Sequence, residues 1–115
     1  FTNMSYVEGQ GLLGRLPYMD GEMPNKDRPY LIVAVGQNFI QTIDVSTVKN
    51  KEWKAGSYHN HILNSYNPPF LKPSFVKIDS LQTIELSECT NMQLLCGGAR
   101  LDSTELKTIR SKLGF

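Results

Sequence analysis

The chain has 115 residues, enough for one domain with a real core and too few to expect two. Hydrophobic residues make up 40% and charged residues 20%, the mix of a folded chain rather than a disordered one. Twelve basic residues against eleven acidic ones give a formal net charge of +1, which excludes a histone-like polycation and an acidic tail but leaves room for a local basic groove. No stretch approaches the roughly 18–20 apolar residues of a membrane helix, and no charged start runs into an apolar signal-peptide stretch. Cys89 and Cys96 are too few for a disulfide scaffold and do not have zinc-site spacing, so they read as free thiols in a reducing cytoplasm.

Phe1 to Gln10 is polar and mixed and reads as a flexible N-terminal arm, with the folded domain spanning residues 11–115. Gly11 to Leu16 is short and apolar enough for a strand. Pro17 to Asp27 collects prolines, a glycine, an asparagine and acids, the composition of a long functional loop. Tyr30 to Val35, opened by Arg28-Pro29, is the clearest strand, and its unbroken apolar run predicts cover on both faces. Gly36-Gln37-Asn38 reads as a tight turn suited to positive φ, with Phe39 to Val45 as the hairpin partner.

Ser46 to Gly56 is polar and lysine-bearing. Ser57 to Leu63 alternates like a strand, Asn64 to Pro73 is a stiff proline loop, and Ser74 to Ile78 and Leu81 to Leu86 read as two short strands or one bent strand. Gly97-Gly98 marks a turn. Asp102 and Glu105 have the spacing of a capping box, Leu101 and Leu106 fit its hydrophobic staple, and Leu106, Ile109 and Leu113 share one helical face that Gly114 ends. Five or six strands and a terminal helix predict a mainly β chain with some α: a small, curved antiparallel barrel with the helix packed on it.

Four ordered motifs then resemble the MazF/PemK (Kid) toxin family. They are Lys-Asp-Arg-Pro followed by Tyr30-Leu31-Ile32-Val33, the Val45-Ser46 step, Lys72 to Leu86 (KPSFVKIDSLQTIEL), and the closing LDSTELKTIRSKLGF. The resemblance implies the small SH3-like barrel that these toxins share with the gyrase poison CcdB. It implies sequence-selective cleavage of single-stranded RNA without a metal or other cofactor, with 2′,3′-cyclic phosphate ends. It further implies a homodimer in a bacterial cytoplasm, inhibited by a cognate antitoxin. The alternative is a non-catalytic member of CcdB type that only binds a partner protein or peptide.

Such cleavage uses the 2′-hydroxyl of the RNA as nucleophile, so the protein must move protons and stabilise charge on the phosphorane. Arg28 is the first candidate, because a guanidinium is a permanent charge with a planar fork for phosphate, and it matches the family's arginine; the plainer reading pairs it with Asp27 or Asp20. Ser46 is the second, as a hydroxyl donor at the family's small-hydroxyl position, against the plainer role of ending a strand. Thr47 beside it points to the other side if the strand continues. His59 and His61 would share a strand face roughly 6.6 Å apart, a workable acid/base pair or simply two half-exposed strand histidines.

For RNA binding, Lys49, Lys51 and Lys54 surround Trp53, whose indole either stacks on a base or tucks into the core edge. Tyr66 lies in a loop that either reads splayed bases or lines a dimer interface, and Lys72 and Lys77 add charge along the groove.

Overall fold

The computed structural model describes residues 5–17, 20–57, 59–89 and 91–115, leaving aside the side chains of Lys54 and Ala55. The apolar run after Arg28 becomes strand β2 (Arg28–Val35), which pairs antiparallel with β1 (Gly11–Gly14) on one edge and β3 (Phe39–Thr47) on the other. Leu31, Ile32 and Val33 are all fully buried. Cover on both faces is what an uninterrupted apolar run demands.

Strand β3 is the spine. One edge pairs with β2, and the other pairs first with β6 (Gln82–Glu85) and then with β5 (Ser74–Lys77). A single 3-10 turn, Ile78–Ser80, separates β5 from β6, so the two act as one bent strand running the length of β3. Beyond β5 lies β4 (Asn60–Ile62), and beyond β1 lies β7 (Gln93–Leu94), a two-residue strand that the sequence pattern did not suggest. The order is β4-β5-β3-β2-β1-β7 with β6 beside β3, all antiparallel, and the hydrogen-bonded path does not close on itself among the described residues.

Two apolar clusters lie on opposite faces of this sheet. Leu31, Val33, Ile43, Val45 and Val76 pack under the C-terminal helix α2 (Ser103–Lys112) with its Leu106 and Ile109. Tyr30, Ile32, Ile40 and Ile84 pack with Leu12, Leu16, Cys89 and Met92 on the other side. A one-turn helix, α1 (Glu52–Ala55), follows β3.

Three local expectations change. The Gly36–Asn38 turn closes through Gly36 N–H donating to Phe39 C=O over 2.9 Å without positive φ. A Cβ at Gly36 would stand 2.3 Å from the Phe39 ring, so a side chain there would require that partly exposed ring to swing away. The capping box forms by half: Asp102 accepts from Glu105 N–H at 3.0 Å, but the Glu105 carboxylate turns to other partners. Finally, the segment read as an arm joins the domain from Tyr6 onward, Tyr6 packing against the Tyr30 cluster. Gly9 N–H donates to Ile32 C=O at 2.8 Å, Leu101 N–H donates to Gly9 C=O at 2.8 Å, and Glu8 pairs with Arg110 at 3.0 Å. Residues 1–4 of the arm lie outside the described residues.

Candidate functional site

Strand alternation and register decide which side chains meet, because directly opposed residues point to the same face. Tyr30 stands opposite Asp44, and Ser46 opposite Phe75. Arg28 precedes Tyr30 by two residues, Ser46 follows Asp44 by two, and Lys77 follows Phe75 by two. Arg28, Asp44, Ser46 and Lys77 therefore share the face turned away from α2, and Asn60, opposite Lys77, joins them from β4. Gly14 lies opposite Arg28 and adds no side chain over it. Arg28 is half-buried at the mouth of the Pro17–Asp27 loop, and Asp27 itself pairs with Arg15 at 3.4 Å. Tyr18 and Met19 of that loop lie outside the described residues.

Asp44 is the group that the sequence reading missed. Burial pushes its carboxyl up, the charges of Lys77 and Arg28 pull it down, and Asp79 adds to the rise; the net lies above the usual aspartate value. Its surroundings are fixed by one hydroxyl. Ser80 Oγ accepts from Asp44 N–H at 2.8 Å and donates to Lys77 C=O at 2.7 Å, which ties β3 to the end of β5 at this point. The available signal was a lone carboxylate inside the apolar run FIQTIDV, a place where β propensity does not favour aspartate.

Thr47 points the other way from Ser46, as the alternation predicts. It lines an open cleft of about 580 Å³ with Val48, Lys49, Glu52, Lys72 and Pro73. The pairing of Thr47 with Ser74, continued by Val48 N–H donating to Pro73 C=O at 2.9 Å, brings Lys72 beside Lys49. Trp53, on α1, is 81% exposed and Leu71 is 74% exposed, so the indole is not tucked into the core edge. Lys51 is exposed on the turn before α1, and the Lys54 side chain lies outside the described residues.

The histidines do not join Arg28. His61 stands opposite Val76, on the helix side of the sheet, where Nε2 contacts Glu105 Oε2 at 2.9 Å and Nδ1 contacts Lys112 Nζ at 2.9 Å. His59 falls just outside β4 and is exposed. Register thus puts His61 on the face opposite the one that carries Arg28, and Glu105 holds it there. Tyr66 is half-buried against the helix-side core, and its carbonyl accepts from Phe70 N–H at 2.8 Å.

Among the described residues no cluster of three or more His, Cys, Asp or Glu is placed to hold a metal, and no helix is long and apolar enough to cross a membrane. Cys89 is buried and Cys96 exposed, both as free thiols. Neither a family model nor a curated protein matches the chain.

Proposed function

We propose that the protein is an endoribonuclease toxin of the MazF/PemK kind, cutting single-stranded RNA without a metal. The observation that carries this reading is the common face of Arg28, Asp44, Ser46 and Lys77. A guanidinium and an ammonium supply the positive charge that a phosphorane needs, and a hydroxyl adds a donor for its oxygens. The Thr47–Lys49–Lys72 cleft, at the end of β3 on the side away from Ser46, offers further cationic surface to an RNA backbone that continues past the strand end. In this reading the bent sheet is the family's small barrel, the working unit is a homodimer in a bacterial cytoplasm, and a cognate antitoxin peptide occupies the groove. The test is incubation with a long RNA in EDTA followed by primer extension. Discrete cuts bearing 2′,3′-cyclic phosphate ends are expected; activity that requires magnesium contradicts the reading.

The exposed Trp53 and Leu71 favour a second reading, a CcdB-like binder that acts by holding a protein partner. RNA left intact together with inhibited gyrase supercoiling would select it.

A further inference from the structure

We propose that Asp44 is the base of this cleavage and Lys77 its acid: the Asp44 carboxylate takes the proton of the attacking 2′-hydroxyl, and the Lys77 ammonium protonates the departing 5′-oxygen. The inference rests on the endoribonuclease reading above. Geometry supports it first. Asp44 is half-buried in a strand whose neighbours Ile43 and Val45 are buried on the other face, so the core does not require a carboxylate there. It shares its face with Arg28, Ser46 and Lys77, and the Ser80 hydroxyl clamps β3 to the carbonyl of Lys77 itself. The charged groups around the carboxylate are Lys77, Arg28 and Asp79.

The chemistry follows from that grouping. A carboxylate whose burial outweighs the pull of the cations beside it is a better proton acceptor than an exposed one next to the same charges. In the step itself, the O2′–H bond breaks and its proton goes to Asp44. The P–O2′ bond forms, the P–O5′ bond breaks, and the leaving oxygen takes a proton from Lys77. Arg28 and Ser46 hold the non-bridging oxygens throughout. Proton return from Asp44 to Lys77 then restores both groups, with no external co-reactant. The competing account makes Asp44 and Lys77 a cross-strand charge pair that only holds β3 against β5.

The experiment compares wild type, Asp44→Asn, Asp44→Glu and Lys77→Gln on a defined single-stranded RNA in EDTA, over about pH 3 to 9, a range that begins below the ordinary aspartate value. Asp44→Asn is expected to slow cleavage about 10²–10⁴-fold and to lose the acidic limb of the pH–rate profile. It should keep its affinity for a 2′-deoxy analogue, which cannot be cut. Asp44→Glu, which retains a carboxylate, should keep the limb and so distinguishes chemistry from misfolding. Replacing the 5′ leaving oxygen with sulfur, which departs without protonation, should restore Lys77→Gln but not Asp44→Asn. Wild-type rates in Asp44→Asn, a surviving acidic limb in that variant, or its rescue by the sulfur substrate would each overturn the assignment. A wild-type protein that cuts no RNA would instead strike the endoribonuclease reading on which it stands.

Discussion

Glu105 holds His61 by a 2.9 Å contact on the helix side of the sheet, the face opposite the one that carries Arg28. Lys112 Nζ lies 2.9 Å from the other ring nitrogen. An ammonium can only donate, so Nδ1 accepts and Nε2–H donates to the carboxylate, which fixes the tautomer. The same carboxylate accepts from Asn64 N–H at 3.0 Å and from Ser65 N–H at 2.6 Å. One residue of the capping pattern thus anchors the proline loop to α2 instead of closing the helix start.

The first prediction concerns stability. Glu105 is buried, and replacing it with Ala strands two backbone donors and the imidazole. A loss of about 2–3 kcal/mol is expected in urea unfolding at neutral pH. Burial alone would raise its pKa, but the two backbone N–H groups and His61 outweigh that and hold it below the ordinary value. A carboxyl with a depressed folded pKa stabilises above its unfolded value of about 4.3. That contribution disappears as pH falls through the lower folded pKa. Wild type should therefore lose stability on acidification below about pH 4, while Glu105→Gln shows a flatter curve over the same window. Parallel curves would show that the carboxylate does not carry this linkage.

The second prediction separates the histidines from catalysis. His61→Ala should lower the melting temperature while leaving the RNA-cleavage rate of the folded protein unchanged. A selective collapse of that rate, with the fold intact by circular dichroism, would return His61 to the reaction.

Arg28 carries the third. Arg28→Ala should cut the rate by about 10²–10³-fold, the cost of removing one charge-stabilising donor. Arg28→Lys should recover little, because an ammonium lacks the planar fork. Its position beside Gly14 and outside both apolar clusters predicts that neither variant unfolds the protein. Cleavage by Arg28→Ala at the parent's speed would remove the guanidinium from the mechanism.

What was legible in the sequence follows the range of the interactions. The run Tyr30–Val35 and the face of Leu106, Ile109 and Leu113 declare themselves locally, by composition and period, and both form as read. Strand β7 has two residues, and its pairing with Leu12 and Leu13 comes from β1 rather than from any pattern of its own. Asp44 was hidden because its importance depends on register: nothing near it in sequence says that Lys77 and Arg28 arrive on its face. Glu105 was misread for the same reason. The local motif offers it a helix N-terminus, but the fold brings it the backbone of a loop 40 residues away.

The fourth prediction uses charge. Lys49 and Lys72 line the same cleft although 23 positions separate them in sequence. If both neutralise RNA phosphates, a plot of log affinity against log salt should be shallower in Lys49→Ala/Lys72→Ala than in wild type. The slope should change by about 0.7 for each phosphate of a single strand that is no longer neutralised. An unchanged slope would place the RNA elsewhere on the molecule.

Trp53 supplies the last. It is the sole tryptophan of the chain and 81% exposed, so intrinsic fluorescence reports on this one surface position. An exposed indole contributes little to folding, and Trp53→Ala should change stability by no more than about 0.5 kcal/mol. Stacking on an unpaired base is worth about 1–3 kcal/mol, so the same substitution should weaken RNA binding about 5- to 150-fold. Titration of wild type with a non-cleavable 2′-deoxy strand should quench the emission, saturating at the same concentration as binding measured by anisotropy. Quenching by a protein partner but not by the nucleic acid would assign the indole to the binder reading instead. The two readings thus differ at a residue that lies outside the catalytic face, where substitution leaves the proposed chemistry untouched.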